Sequence, residues 1–245
     1  LSERIDIVKP MGWQRSGPTL TDTDMMYILR RMEKYGLYSE KRVSAAIRIV
    51  ANENHYHPIR DYLNDLKWDG TERISHALHR FLGAAEDELT AEALKIFLLG
   101  AIKRVFHPGC KFEMMLCLVG GQGAGKSSFF RLLAIKDEWF SDDLRRMDDD
   151  NVFRKLQGHW IMEMSEMIAT ANAKSIEEIK SFLSKQKETY KIPYETHPAD
   201  RLRQCVFAGT TNRQDFRPRD RTGNRRFIPI PVDATQAEVH ILDNE

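Results

Sequence analysis

The chain has 245 residues, of which 42% are hydrophobic, 37 are lysine or arginine and 36 are aspartate or glutamate. This length and apolar content allow one α/β domain of about 140 residues plus a smaller unit. The net charge of +1 excludes nucleic-acid binding through overall charge, so any such surface depends on local clusters of cations. No apolar stretch is long enough to cross a membrane, and no secretory leader is recognisable. We therefore expect a cytoplasmic protein.

The first hundred residues show the spacing of amphipathic helices, with apolar residues at every third or fourth position. Ser, Thr and Pro stand where these helices are predicted to begin. The first predicted helix follows Thr21 or Thr23, and the second follows Ser39. The others begin at Pro58 and cover residues 71–81 and 88–105. We predict a helical domain over residues 1–105 and an NTPase domain over residues 106–245.

The stretch from Met114 to Ala134 reads MMLCLVGGQGAGKSSFFRLLA, an apolar run, a glycine-rich turn and an amphipathic run. This order predicts a strand, a phosphate-binding loop and a helix. Gly120, Gly125, Lys126 and Ser127 fill the fixed positions of the G-x-x-x-x-G-K-[ST] pattern. Lys126 is expected to reach the β- and γ-phosphates of a nucleotide, and the Ser127 hydroxyl to bind Mg²⁺.

The predicted cofactors are ATP and Mg²⁺. Backbone amides of the loop and of the first helical turn are expected to surround the phosphates. The predicted cofactor-binding residues are Gly120, Gly121, Gln122, Gly123, Ala124, Gly125, Lys126, Ser127 and Ser128.

A second apolar stretch, GHWIMEMSEM, contains two carboxylates. It follows about forty residues after Lys126, where a P-loop ATPase needs an acidic strand end to hold Mg²⁺ and orient the attacking water. Glu166 stands at the tip of the predicted strand, where ligands gather in open α/β sheets, so it is our first choice for the catalytic carboxylate and for a metal ligand. Glu163 points to the other face and is the second candidate. A solvated or salt-bridged role for Glu163 is the alternative.

Lys185, Lys187 and Lys191 are interleaved with Tyr190 in the segment after a predicted helix over residues 175–184. Cations beside aromatic side chains suit a single strand, whose phosphates need neutralising and whose bases can stack. We therefore predict that these four residues contact single-stranded DNA. The alternative is a solvated β-hairpin before the next core strand.

The last two predicted strands carry polar residues at one end. RQCVFAGTTN ends at Asn212, which is expected to hydrogen-bond the γ-phosphate or the attacking water, although asparagine is also a common turn former. Arg225 and Arg226 precede a final apolar strand. They either form salt bridges there or act as arginine fingers in a neighbouring subunit's site. Residues 233–245 are predicted to be helical.

These blocks together resemble the virulence-associated protein E family of phage and mobile-element proteins and, more distantly, superfamily 3 helicases and poxvirus-type primase-helicases. The resemblance extends from His57 to Val232. It rests on seven ordered blocks: HPIRDYLNDLKWDG, PGCKFEMMLCLVGGQGAGKSSFFRLLA, EWFSDDL, LQGHWIMEMSEM, IKSFLSKQKETYKIPY, RQCVFAGTTN and TGNRRFIPIPV.

The resemblance implies a P-loop NTPase of the additional-strand, AAA+-like type, with a mostly parallel five-stranded sheet in the order 5-1-4-3-2. It implies Glu166 as the Walker B glutamate, Asn212 as the sensor, and Arg225 and Arg226 as the finger region. It also implies a primase module, fused to the chain or encoded nearby. The chain departs from the family pattern because its acidic motif is Glu-x-x-Glu instead of Asp-Glu, so which carboxylate contacts the metal stays open.

The first functional hypothesis is an ATP-dependent motor, a replicative helicase or translocase that assembles as a homo-oligomeric ring on single-stranded DNA. The second is a switch or loader that uses ATP to change its affinity for DNA or a protein partner without unwinding. A small-molecule kinase is a third reading. Because the first residue is Leu1, we expect the chain to be a piece of a longer protein.

Overall fold

The computed structural model describes residues 4–144, 152–165, 173–190, 199–212 and 225–241. The chain divides into two compact units, Leu1–Asp65 and Leu66–Glu245. This division differs from the domain boundary at residue 105 that was expected from the sequence. The two helices between Leu66 and the first strand are part of the second unit.

The first unit, from residue 4 onward, contains three helices: α1 (Asp22–Glu33), α2 (Glu40–Glu53) and α3 (Pro58–Asp65). Thr21 caps α1, since its hydroxyl accepts a hydrogen bond from Asp24 N while the Asp24 carboxylate accepts one from Thr21 N. The buried Asp24 also accepts bonds from Arg15 Nε at 2.9 Å and Trp13 Nε1 at 2.8 Å. These bonds hold the pKa of Asp24 well below its usual range, and the bond from Arg15 has the largest effect. They fasten the segment before α1 to the helix.

Five further α-helices lie in the described residues of the second unit. They are α4 (Ile74–Leu82), α5 (Glu88–Phe106), α6 (Lys126–Leu133), α7 (Val152–Leu156) and α8 (Ala173–Ser184). Asp87 caps α5 by accepting a hydrogen bond from Thr90 N at 2.8 Å. The predicted helices over 71–81, 88–105 and 175–184 are thus confirmed, with ends that shift by up to three residues.

Seven strands lie in the described residues: β1 (Met115–Val119), β2 (Phe140–Ser141), β3 (Ile161–Ser165), β4 (Lys187–Tyr190), β5 (Ala199–Leu202), β6 (Val206–Thr211) and β7 (Phe227–Pro231). Five of them form a parallel sheet in the order β2-β3-β6-β1-β7. Numbered among these five and read from the β7 side, the order is 5-1-4-3-2. The expected sheet and its order are confirmed. The other two strands, β4 and β5, form an antiparallel hairpin.

The central strands β1 and β6 are buried along their whole length, as expected for parallel strands covered on both faces. The buried Arg104 fastens α5 to this layer. Its guanidinium donates to Cys205 O at 2.7 Å and to Phe112 O at 2.6 Å. Trp160 Nε1 donates to Ala101 O at 3.0 Å. These bonds explain why α5 belongs with the sheet.

The predicted C-terminal helix is wrong for the described residues after Asp233, which contain a short 3₁₀ turn over Ala234–Gln236 and no α-helix. Several backbone amides of this segment donate outside it, while those of Gln236 and Ala237 bond within the turn. Asp233 N donates to Leu82 O, and Glu238 N donates to Arg80 O, both at 2.9 Å. The segment therefore satisfies carbonyls at the end of α4 that have no partner within that helix.

In the described part of the chain, no helix combines the length and the apolar character needed to cross a membrane.

Candidate functional site

The loop between β1 and α6 is closely packed on one side and open on the other. A Cβ atom at Gly120 would lie 2.3 Å from Val232 O, so only glycine fits there. Gly125 adopts a left-handed conformation, with φ of 75°, at the N-terminus of α6. By contrast, a Cβ atom at Gly121 would meet nothing within 4 Å. The open side has room for a ligand beside the N-terminus of a helix.

Lys126 bends back over this loop. Its Nζ donates to Gly120 O at 2.9 Å, to Gly121 O at 2.6 Å and to Asn212 Oδ1 at 3.0 Å. All three ammonium donors are therefore used. The side chain is buried, and desolvation lowers the pKa of Lys126, while the nearby Glu163 carboxylate opposes this shift. The predicted phosphate-binding lysine and the predicted sensor asparagine are thus in direct contact.

Glu163 is fully buried, and its carboxylate accepts hydrogen bonds from two hydroxyl groups. Ser127 Oγ donates to Glu163 Oε1 at 2.7 Å, and Thr210 Oγ1 donates to the same oxygen. The other carboxylate oxygen, Oε2, has no hydrogen-bond partner. Burial raises the pKa of Glu163, and the two hydroxyl groups counteract part of that effect. The second-choice carboxylate therefore lies beside the predicted magnesium ligand.

Thr210 was missed by the sequence reasoning. It lies in β6, two residues before Asn212, which directly follows the strand. The parallel register places Thr210 beside Ser165, and Ala208 beside Glu163. The sequence signal that could have identified Thr210 is a hydroxyl residue two positions before Asn212.

Hard divalent cations prefer oxygen ligands, and Mg²⁺ binds to few protein groups while keeping several waters. Ser127 Oγ and the unpartnered Glu163 Oε2 are oxygens of this kind on neighbouring elements. Their chemistry fits a magnesium ion.

Glu166, the first choice for the catalytic carboxylate, lies outside the described residues, as does Lys191. Their assignments stay predictions.

Arg225 and Arg226 lie at the N-terminal end of β7, whereas the loop follows the C-terminal end of β1. They directly precede β7, whose last residue, Pro231, is in register with Val119. Arg226 is therefore roughly 16 Å from the loop edge, at about 3.3 Å per residue. Arg226 Nε lies 3.5 Å from Glu113 Oε2. Within one chain these arginines do not meet the predicted nucleotide site.

The predicted DNA-binding lysines that the structure describes lie on or beside the β4–β5 hairpin. Lys187 Nζ forms an ion pair with Asp200 on the opposite strand. Lys185 Nζ lies 3.8 Å from the Glu188 carboxylate. Tyr190 is the last residue of β4 and pairs with Ala199 of β5. The β-hairpin of the alternative interpretation is therefore present, and its described lysines have acidic neighbours.

A cleft of about 350 Å³ adjoins the loop. The segment after α4 forms one wall, and the ends of β1 and β7 form the other. Its lining residues are Gly83, Ala85, Val119, Gly120, Pro231, Val232 and Asp233.

The sequence model of the virulence-associated protein E-like domain matches residues 63–245, about three quarters of the chain. The chain belongs to this family. The match includes strands β1 to β7, the glycine-rich loop, and the residues that contact Lys126 and Ser127. Residues before position 63, including α1 and α2, lie outside the match. No curated protein matches the chain.

Among solved structures, the VapE-like chain is similar to the C-terminal region of NrS-1. One structure of that region has 16% identity and a TM-score of 0.44, covering 63% of this chain and 36% of that chain. A second structure has 17% identity and a TM-score of 0.46, and the match covers 70% of this chain and 39% of that chain. A third has 15% identity and a TM-score of 0.44, and the match covers 70% of this chain and 38% of that chain. The VapE-like chain thus spans less than two fifths of those chains.

Proposed function

We propose that this chain is a P-loop ATPase and that it acts as an ATP-dependent motor, a helicase or translocase on single-stranded DNA in a phage or mobile genetic element. The observation that supports the ATPase proposal is the meeting of side chains from the N-terminus of α6, from β3 and from the end of β6. Lys126 bonds to Asn212, and Ser127 bonds to Glu163. An apolar sheet gains no stability from gathering a buried lysine and a buried carboxylate at one edge, because both are desolvated there.

ATP with Mg²⁺ supplies a transferable γ-phosphoryl group. In this proposal the loop amides and Lys126 bind the phosphates, and Ser127 and Glu163 hold the metal. Glu166 orients the attacking water, and Asn212 contacts the γ-phosphate or that water. The base occupies the cleft between Ala85 and Val232, whose largely apolar lining suits a planar ring.

The position of Arg225 and Arg226 supports a site that is shared between subunits. They lie a strand length away from their own loop, so an arginine finger from this region requires a second copy of the chain. A homo-oligomeric ring provides that copy at every site. In such a ring the β4–β5 hairpin is the element that contacts the DNA strand.

A switch or loader that binds DNA or a partner without unwinding is the second candidate. The carboxylates beside Lys185 and Lys187 favour it, since they reduce the positive charge that the described part of the hairpin offers to phosphates.

ATP hydrolysis with and without single-stranded DNA tests the proposal directly. We expect Mg²⁺-dependent hydrolysis that Lys126→Ala abolishes and that Lys103→Ala, at an exposed position on α5, leaves unchanged. Equal hydrolysis by both variants would overturn the ATPase assignment. Unwinding of a forked duplex then separates the two candidates: ATP-dependent strand displacement or translocation identifies a motor, and ATP-dependent binding alone identifies a switch.

A further inference from the structure

We propose that the turn joining α1 to α2 is a binding surface for single-stranded nucleic acid, separate from the hairpin. We call residues 30–42 the α1–α2 tip. It lies in the first unit, outside the region that matches the family model. This inference does not depend on the proposed ATPase activity.

The α1–α2 tip is the place where the first unit concentrates positive charge. It carries five cations against the two carboxylates Glu33 and Glu40, whereas the whole chain is nearly neutral. The five cations are Arg30, Arg31, Lys34, Lys41 and Arg42, all of them exposed. In the described part of the chain, no ion pair is formed by Lys34, Lys41 or Arg42. Their charge is therefore available to a ligand.

Helix stability accounts for only some of these cations. Arg30 and Arg31 lie in the last turn of α1, where positive charge is favourable. Lys41 and Arg42 lie in the first turn of α2, where the positive end of the helix dipole disfavours cations. These two positions reduce the stability of α2, which is consistent with a role in binding an anion.

Two tyrosines flank the turn with their rings in solvent. Tyr35 is 75% exposed and Tyr38 is 77% exposed. Neither ring contributes to a core, and large exposed aromatic side chains are enriched where proteins bind partners. Gly36 and Leu37 hold the turn, since their amides donate to the last carbonyls of α1. Both rings are therefore carried by an ordered turn.

Cations next to exposed aromatic rings match the chemistry of a single strand. Lysine and arginine neutralise phosphates, and tyrosine rings stack on unpaired bases. In a duplex the bases are stacked on one another, so Tyr35 and Tyr38 would gain nothing there. An acidic polypeptide would use the cations but not the stacking. The combination therefore favours a single-stranded nucleic acid.

The test measures the affinity of the full chain for fluorescein-labelled dT20 by anisotropy, without nucleotide and over a range of salt. Lys34→Glu/Lys41→Glu is compared with Lys67→Glu/Lys103→Glu, which makes the same charge change at exposed lysines outside the α1–α2 tip. We expect the first variant to bind at least about tenfold more weakly, with a salt slope shallower by about 0.7 for each lysine that contacts a phosphate. The control should bind like the wild type.

A second variant, Tyr35→Ala/Tyr38→Ala, keeps the charge and removes the rings. It should bind dT20 about five- to tenfold more weakly and bind a 20-base-pair duplex as the wild type does. If either tip variant binds dT20 as tightly as the control variant, the inference is wrong. It is also wrong if the lysine substitutions weaken binding of poly-glutamate but not of dT20.

The outcome is independent of the nucleotide site. DNA-free ATP hydrolysis should be the same in the tip variants and the wild type. A chain that hydrolyses no ATP but loses dT20 binding on substitution of the α1–α2 tip would contradict the proposed function and support this inference.

Discussion

Asn212 Oδ1 accepts a hydrogen bond from Lys126 Nζ at 3.0 Å, although 86 residues separate the two in sequence. The other two donors of Lys126 are bonded to carbonyls of the glycine-rich loop. A phosphate oxygen that binds Lys126 must therefore replace one of these three acceptors. If that acceptor is Asn212, its Oδ1 loses the bond to Lys126, which is the response expected of a sensor in the proposed function.

We expect Asn212→Ala to lower kcat for ATP hydrolysis by about 10²- to 10³-fold, the usual loss when one positioned polar group is removed from a phosphate or oxyanion site. KM should change much less, because in the proposed function Lys126 and the loop amides still bind the phosphates. Steady-state ATPase kinetics measure both parameters.

Asn212→Asp is the matched variant, since it keeps an acceptor for Lys126 but loses the amide donors. If Asn212 acts by donating to the phosphate or the water, the aspartate variant should be as slow as the alanine variant. Wild-type turnover by Asn212→Asp would show that only the bond to Lys126 matters.

The two carboxylates of the acidic motif should have separable roles. Glu163→Gln should weaken Mg²⁺-dependent nucleotide binding, because it removes the charge beside Ser127. Glu166→Gln should bind ATP normally and slow turnover by about 10²- to 10⁴-fold, as loss of a general base does. Titration with a fluorescent ATP analogue, at several Mg²⁺ concentrations, and ATPase assays distinguish them.

Glu178→Gln, at an exposed position of α8, is the control for both substitutions. Normal turnover by Glu166→Gln would refute the catalytic assignment of Glu166. Normal Mg²⁺ dependence in Glu163→Gln would refute the metal assignment of Glu163.

The buried Glu163 should make stability depend on pH. Its pKa is raised above 4.5 by burial, so the folded state binds a proton more tightly than the unfolded state does. Stability from this group is therefore fully present below about pH 4.5 and is lost as pH rises through the folded-state pKa. Glu163→Gln carries no charge and should not show this loss.

Urea unfolding of the wild type and Glu163→Gln, without nucleotide or Mg²⁺, checks this expectation. The stability difference should move in favour of Glu163→Gln as the pH rises from 4.5, and then level off. A difference that is constant across pH would mean that Glu163 keeps its ordinary pKa in the folded protein.

Mixing two inactive proteins tests whether Arg225 and Arg226 serve a neighbour. Lys126→Ala retains both arginines, and Arg225→Ala/Arg226→Ala retains an intact loop. If the arginines act between subunits, the mixture should recover ATPase activity, since a finger contributes about 10³- to 10⁵-fold in rate. Lack of recovery counts against the shared site.

Glu113→Gln separates this role from the ion pair within the chain. It removes the partner of Arg226 but leaves both arginines in place. Because this pair is partly exposed, its loss should change the free energy of unfolding by less than about 1 kcal/mol. A similar loss of activity in Glu113→Gln and in the double arginine variant would indicate a structural role for the pair.

Local signals in the sequence were enough for much of the fold. Thr21 and Ser39 begin their helices because short polar side chains satisfy free amides at a helix N-terminus, an interaction that spans three residues. The glycine-rich loop follows from the spacing of Gly120 and Gly125. The predicted C-terminal helix failed because the amides of Asp233, Glu238 and Val239 bond to the end of α4, and such a long-range competition leaves no mark on local periodicity.

The sequence alone therefore predicted most of the helices and strands, the loop and the sheet order expected from the family resemblance, because each depends on short-range patterns or on an ordered set of motifs. The tertiary structure decided which side chains meet. It brought Glu163 to Ser127, supplied Thr210 as a second donor, and set Arg226 a strand length from the loop. Those relationships depend on strand pairing between segments far apart in the chain, and strand register, unlike helix spacing, is not encoded in any one segment.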